Sequence, residues 1–269
     1  MIHPTRQPEE DPLLGSSSTS HPIAALLEDL ARARDRLRPR GRPFVTLAYA
    51  QSLDGSITIA RGQRYALSGP DALRFTHALR ARHDAILVGV GTVLADDPEL
   101  RVRLVEGPHP QPVVVDSRLR TPPSAKLLAA ANGRPVWIAA ASPAGGGGDA
   151  DSDSARRRQR LAGMGRIVDC PALPNGWVDL QALLGCLHAD GVRHVMVEGG
   201  ARIITSLLEA RLADYVIVTI APQFLGGLTA IGPAARTGAS SAIANLSTWV
   251  SGRLGDDLVL GGEVAWPAV

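Results

Sequence analysis

The sequence predicts an α/β fold around a largely parallel sheet, and three observations carry that expectation. Short apolar runs rich in strand formers recur along the chain: FVTLAYA (44–50), AILVGV (85–90), VVVD (113–116), VWIAA (136–140), HVMVEGG (194–200) and YVIVTIAP (215–222). Segments with helical spacing or helix-start residues lie between several of them, and strands alternating with helices build parallel sheets. No internal repeat and no clear linker divides the main body.

Residues 1–20 are rich in Pro, Ser and acids, lack periodicity, and read as a disordered tail. Ile23, Leu26, Leu27, Leu30 and Leu37 then recur at helical spacing among Arg and Asp. That predicts an amphipathic helix within 21–41, packed on the main domain and ended by RPRGRP (38–43). The main domain spans 42–269 and opens on the strand FVTLAYA. Ser68-Gly69-Pro70-Asp71 offers a capping residue and a first-turn Pro for a helix to Arg82, with Leu73, His77 and Arg80 spaced along it. AILVGV is a buried strand ending in glycines, followed by VVVD and VWIAA. The polar, Gly-rich PAGGGGDADSDSARRRQR (143–160) reads as an exposed loop. A helix around 179–190, the strand of HVMVEGG, a helix from 201 to 210, the strand of YVIVTIAP and a strand near 257–266 complete the chain.

With 269 residues, 45% of them hydrophobic, and a net charge of +2, the chain can bury a sizeable core and is not disordered throughout. Its apolar runs fall far short of the roughly 18–20 residues of a membrane helix. The N-terminus lacks the basic start and apolar stretch of a signal peptide, so a cytoplasmic location is expected. Near-neutral charge and 4% aromatic residues disfavour a nucleic-acid binder. Lys126 is the sole lysine against 27 arginines, and arginine is the better fork for phosphate. Cys170 and Cys186 fit neither a disulfide framework nor a zinc spacing, and no metal is expected. His77, His83, His109, His188 and His194 read as surface or helix residues.

In such a sheet, ligands collect at the C-terminal ends of strands and at helix N-termini. Three segments fall there. In VEGGARIITS (197–206), Gly199 and Gly200 would let a pyrophosphate approach freed backbone N–H groups, although strand–GG–helix junctions also serve as plain turns. Neither G-x-G-x-x-G nor the P-loop pattern is present. VGVGTVLADDP (88–98) reads either as a loop with a capped turn or as a ligand-facing loop, and Asp96 with Asp97 is too little for a magnesium site. Asp54-Gly55 is either a hairpin turn or part of a site loop. No G-x-S-x-G supports a hydrolase.

RPFVTLAYAQSLDG (42–55), LRARHDAILVGVGTVLADDPELRVR (79–103), VVVDSRLRTP (113–122), VEGGARIITSLLEARLADYV (197–216) and IAPQFLGG (220–227) occur in this order. Together they resemble the pyrimidine reductases of riboflavin biosynthesis, which are free-standing or form the C-terminal half of a bifunctional deaminase–reductase. The resemblance covers roughly residues 42–265. It implies a dihydrofolate-reductase-like fold, a mostly parallel central sheet flanked by helices, usually in a homodimer. It also implies NADPH-dependent reduction of the ribosyl group of a 5-amino-6-(5-phosphoribosylamino)pyrimidine to ribityl. The ribosylamine can open to an imine at C1′ that accepts hydride from nicotinamide C4, which leaves the protein to position both partners and exclude water.

The same resemblance implies cofactor contacts at Ala50, Thr92, Asp96 and Ser117, and along Gly199, Gly200, Ala201, Arg202, Ile203, Ile204, Thr205 and Ser206. It implies substrate contacts at Arg64, Arg80, Leu100, Arg103 and Glu198, with Asp54 and Glu198 as candidate catalytic carboxylates. Arg80 and Arg103 would offer ten N–H donors, five each, to a phosphorylated substrate. Ser117 and Arg118 are the candidates to read a cofactor 2′-phosphate. Three positions depart from the fused bacterial members: Ala48 stands at a usual Lys, Arg64 at a substrate-contacting Ser and Ala66 at a cofactor-contacting Trp. The wording TLAYAQSLD is closer to the free-standing reductases, which act on the 2,5-diamino substrate before deamination. The H-x-E and P-C-x-x-C motif of the deaminase half is absent, so a reductase alone is expected. The alternatives are a same-fold NADPH reductase of another pterin or pyrimidine, and a non-catalytic nucleotide-binding relative. Retention of Asp54, Thr92, Asp96, Arg103 and Glu198 argues against the last.

Overall fold

A computed structural model describes residues 22–129, 134–142, 153–232 and 244–267. The strands are β1 (Phe44–Ser52), β2 (Ser56–Thr58), β3 (Ala85–Gly89), β4 (Gln111–Val115), β5 (Val136–Ser142), β6 (Gly165–Pro171), β7 (His194–Val197), β8 (Tyr215–Ala221), β9 (Leu228–Thr229), β10 (Asn245–Leu254) and β11 (Asp257–Ala265). The helices are α1 (Pro22–Leu37), α2 (Pro70–Arg80), α3 (Val90–Asp96), α4 (Lys126–Ala129), α5 (Asp153–Ala162), α6 (Leu180–Ala189) and α7 (Ala201–Glu209). Nine strands form one sheet in the order β10-β11-β8-β1-β7-β3-β4-β5-β6. It is parallel from β8 to β6, and β11 and β10 add antiparallel at the other side. β2 and β9 pair in a separate two-stranded ribbon.

β7 comes late in the chain yet lies between β1 and β3, with Val195 opposite both Val45 and Ala85. The strand order therefore reverses beside it, and the C-terminal ends of β1, β7, β3 and β4 open on one edge. Crevices at such reversals are where α/β sheets bind ligands.

Period-two alternation sorts the strand residues between the faces. Val45, Leu47, Ala85, Leu87, Val195 and Val197 pack against α6 and α7. Ile86, Val88, Val114 and Ile138 meet Leu119, Leu127 and Leu161. Phe44, Ala48, Met196 and Tyr215 meet Leu26 and Leu30 of α1 and Ala72, Phe75 and Leu79 of α2. Both faces are covered, which is why the central strands read as apolar throughout.

The fold class, mostly parallel sheet and flanking helices agree with the sequence reading; several details do not. Ser68 is not the cap of α2: Gly69 holds that position without a side-chain cap, and its N–H donates to Asp257 Oδ2 at 2.8 Å. Val90 ends no strand but begins α3, so GTVLAD is helical rather than a loop. From Asp153 onward the stretch expected as an exposed loop is α5, anchored by the buried Leu161. The tail 1–20 and residues 143–152 lie outside the described residues. The short β2, β9 and α4 have no counterpart in the sequence reading, and neither do β6 and β10. Both are edge strands with alternating or mostly polar sequences, which lack the continuous apolar signal of a central strand.

Candidate active site

The turn after β1 is organised by one carboxylate. Asp54 Oδ1 accepts from the Ser52 hydroxyl and from Leu225 N–H at 2.9 Å; Oδ2 accepts from Ser56 Oγ at 2.8 Å and Gly226 N–H at 2.7 Å. The Ser52 hydroxyl, then Leu225 N–H and Ser56, hold the carboxyl far below the usual carboxylate range. A group so held is ionised at every working pH and has no proton to give. Its geometry is that of a staple between the 52–56 turn and the 225–227 turn, not of a catalytic acid. The turn is no simple hairpin either, since β2 pairs with β9 rather than with β1.

Arg80, the last residue of α2, and Glu198, the residue after β7, form a two-pronged pair. Arg80 Nε and Nη2 each donate to a Glu198 oxygen at 2.6 Å, and Nη1 donates to the Arg101 carbonyl at 3.0 Å. Burial pulls the Arg80 pKa down, but the charge and hydrogen bonds of Glu198 outweigh it and raise it. Three of the five N–H donors of Arg80 are thus already spent, and the expectation that all of them await a phosphate is corrected.

Arg103 is differently placed. Its side chain is 57% exposed, and Glu99 Oε1 lies 3.9 Å from Nη1. Glu99 meanwhile accepts two closer bonds from Arg101, at 2.7 and 3.0 Å. The Arg103 backbone is pinned by its own N–H, which donates to His77 Nδ1 at 2.9 Å. Leu100, in the same segment, is buried at 2% exposure with φ +55°, so only its backbone can face a ligand.

His77 is a helix residue, as one of the two readings had it, and both it and His83, just past α2, are buried rather than on the surface. Burial, reinforced by the charges of Arg80 and Arg103, pulls His77 down to about 4, against the opposing Glu198. It is therefore neutral in the folded protein and free to accept from Arg103. The unfolded chain protonates near 6.5, so this stabilisation is whole above that pH and is lost as pH falls through about 4. Urea unfolding at about pH 4.5 should show roughly 2–3 kcal/mol less stability from this group than at pH 7.5. His77→Gln should flatten that part of the pH dependence. The spacing of His77 and Arg80, three apart on one helix, was the signal in the sequence for this cluster.

At the junction of β7 and α7 the two glycines have different duties. A Cβ on Gly199 would sit 2.9 Å from Ile203 Cβ and Cγ2, and one on Gly89 would meet Ile203 Cγ1 at 2.8 Å. Those glycines admit Ile203, not a ligand. Gly200 is open, its nearest neighbour being Thr92 Oγ1 at 3.6 Å. Ile203 and Ile204 are core residues, and Thr205 Oγ1 accepts from Gly232 N–H at 2.9 Å. Ser206 is half-buried. Of the segment 199–206, the surface available to a cofactor is therefore chiefly Gly200, Ala201 and Arg202. The N–H groups of Ala201 and Arg202 have no acceptor among the described residues. Gly199→Ala should cost about 1–3 kcal/mol by overpacking, with partial recovery from Ile203→Val, whereas Gly200→Ala should unfold like the parent. Urea denaturation of the variants checks this.

Of the remaining expected contacts, Thr92 adjoins that turn, its Oγ1 3.6 Å from where a Cβ on Gly200 would sit. Ala50 lies near the end of β1, opposite Thr219. Thr92 is on the first turn of α3, and Asp96 at its end is half-buried, with its carboxyl raised by burial against the opposing charge of Arg64. The two carboxylates Asp54 and Asp96 are thus shifted in opposite directions, the first down by its hydrogen bonds and the second up by burial. Asp97 has another duty: it adopts φ +43° and its Oδ1 accepts from Lys126 N–H at 2.8 Å. Among the described residues no group of three or more His, Cys, Asp or Glu could hold a metal ion. Ser117 Oγ accepts from Val178 N–H at 3.0 Å, which ties the end of β4 to the turn before α6. Arg64 and Ala66 are exposed, and Ala48 is buried under α1 and α2.

Comparison with known proteins bears on this arrangement. The model of the RibD C-terminal domain family matches residues 43–260. A 2,5-diamino-6-ribosylamino-4(3H)-pyrimidinone 5′-phosphate reductase of Archaeoglobus fulgidus is 35% identical over 69% of this chain and 83% of its own length. The protein of the same name from Methanothermobacter thermautotrophicus is 38% identical over 69% of this chain and 81% of its own. A solved riboflavin biosynthesis reductase of Saccharomyces cerevisiae superposes with a TM-score of 0.69 and 28% identity, covering 90% of this chain and 99% of that one. With the matched segment running from β1 into β11 and carrying every strand end described above, the chain belongs to the RibD C-terminal domain family, the reductases of riboflavin biosynthesis.

Proposed function

We propose that this protein uses NADPH to reduce the ribosyl group of a 5-amino-6-(5-phosphoribosylamino)pyrimidine to ribityl, acting on the 2,5-diamino compound. The observation that carries this reading is its match to two reductases named for that compound, over 83% and 81% of their lengths. The chemistry of the strand ends fits it. Gly200 leaves room beside two unpaired backbone N–H groups at a helix start, a setting suited to a pyrophosphate. Ala50, Thr92 and Ser117 would line the same cofactor. When bound, the dinucleotide supplies the hydride.

Everything else falls to the protein's own side chains. Arg103 meets the substrate phosphate, because its guanidinium is less committed than those of Arg80, held by Glu198, and Arg101, held by Glu99. Glu198, with two oxygens already accepting from Arg80, keeps lone pairs for a substrate hydroxyl or amino group. Asp96, half-buried at the end of α3 with its carboxyl raised by burial, would line the cofactor as well. The reading brings with it a homodimer and a cytoplasmic location; among the described residues no helix is long and apolar enough to cross a membrane.

Anaerobic incubation of the purified protein with NADPH and each pyrimidine, deaminated or not, tests the reading through loss of the nicotinamide absorbance. Turnover confined to the 2,5-diamino compound is expected. Turnover of the deaminated compound alone would reverse the substrate assignment, and turnover of neither would remove the function.

A further inference from the structure

Several arginines in this protein are tied to carboxylates. Arg42 is bound to Asp214, Arg80 to Glu198, Arg101 to Glu99 and Arg158 to Asp169. Another group has no such partner and is gathered around one residue. Burial and then the charges of Arg61, from the turn after β2, and of Arg120 and Arg118, from the turn after β4, lower the pKa of Arg202 on the first turn of α7. Among the described residues no carboxylate pairs with any of the four.

Two turns are built to hold this group in place. After β4, Asp116 Oδ2 accepts from Thr121 N–H at 2.6 Å and Thr121 Oγ1 at 2.8 Å, while Leu119 is buried at φ +52°. That pinning leaves Arg118 and Arg120 exposed on either side of a buried leucine. Before α6, Leu173 N–H donates to the Trp177 carbonyl at 2.7 Å, and Asn175 Oδ1 accepts from Trp177 N–H at 3.0 Å. Gly176 takes φ +75° to close the turn. Trp177 is fixed there, and its indole carries the Arg202 guanidinium 4.7 Å from the ring centroid. A long, flexible side chain is thus held over a rigid platform before any ligand arrives.

We infer that Arg202, positioned by Trp177 and joined by Arg118 and Arg120, is the principal reader of the cofactor's 2′-phosphate monoester. This rests on the dinucleotide reading above and names a specificity residue within it. Unpaired like charges favour a ligand that brings about two negative charges on one compact group, which a phosphate monoester does. The pyrophosphate, common to both nicotinamide dinucleotides, has the backbone N–H groups at Gly200 instead. Ser117, whose oxygen already accepts from Val178, is left with its hydroxyl proton as a supporting donor.

The test compares adenosine 2′,5′-bisphosphate with adenosine 5′-monophosphate by titration calorimetry on the whole protein. Arg202→Ala is expected to weaken the bisphosphate about tenfold or more and the monophosphate less than about twofold. Trp177→Ala should weaken the bisphosphate selectively by about threefold to tenfold, and Trp177→Phe should restore most of it. In kinetics, Arg202→Ala should narrow the preference for NADPH over NADH. Equal weakening of both nucleotides would assign Arg202 to the 5′-phosphate and overturn the inference. A raised KM for the pyrimidine with unchanged bisphosphate binding would overturn it as well. The reductase assay on the same preparation separates the two readings. Pyrimidine reduction without selective bisphosphate binding sinks this inference alone, whereas selective binding without reduction supports it and removes the catalytic reading.

Discussion

Arg103→Ala is expected to lower kcat/KM for the phosphorylated pyrimidine roughly 30- to 150-fold, while the dissociation constant for NADPH stays within about twofold. The figure corresponds to about 2–3 kcal/mol, the range for charge-assisted hydrogen bonds to a phosphate that are lost outright. Structure favours this residue because its backbone is fixed and its side chain is not. His77 Nδ1 accepts from Arg103 N–H at 2.9 Å, so the chain position is set by α2. The guanidinium keeps only a 3.9 Å contact with Glu99, whose closer bonds go to Arg101. Exposure of 57% keeps its folding cost small, so the variant should melt with the parent. Arg103→Lys should recover part of the loss, since a point charge attracts phosphate without matching its two-pronged geometry. If Arg103→Ala leaves kcat/KM intact, the residue is a surface arginine. If it weakens NADPH as much as substrate, the segment serves the other ligand.

The central strands were legible because they are buried on both faces and so are continuously apolar, as in AILV (85–88) and HVMV (194–197). Edge strands hid from the same test. NLSTWVSGRL of β10 shows one face to water and carries no such run. The expected site residues mostly fall at the C-terminal strand ends, where the order of the sheet reverses. What sequence could not supply was which side chains had already found partners. Arg80 and Arg103 look alike as letters, yet one is tied to a carboxylate 118 positions away and the other is not. Asp54 reads as a possible acid until Leu225 and Gly226 close on it from the far side of the chain. Ile203 and Ile204 follow a glycine pair that suggests phosphate, but helical periodicity turns them into the core. Trp177 had a local signal, the Asn175-Gly176 turn before a capped helix, but no signal that an arginine from α7 would lie on it.

Glu198→Ala should carry the largest stability cost of any single change at the site. It leaves the Arg80 guanidinium with its carbonyl contact to Arg101 and no counter-charge, at a position only 12% exposed. Breaking such a pair from one side costs about 3–5 kcal/mol when burial is complete, so about 3 kcal/mol is expected here. For a chain of this size that is roughly 6–12 °C in Tm. Glu198→Gln keeps the shape and one acceptor oxygen, and should lose about half as much. Removing both charges, as in Arg80→Met with Glu198→Leu, should cost less than the sum of the single changes, because neither partner is then left alone. Activity separates a scaffold from a substrate ligand. Glu198→Gln, assayed well below its Tm, should still lose tenfold or more in kcat/KM, with NADPH binding unchanged, if the carboxylate also accepts from the substrate. Full activity in that variant would confine Glu198 to holding Arg80. Additive single changes would go further and show that the 2.6 Å pair between α2 and the end of β7 contributes nothing to coupling them.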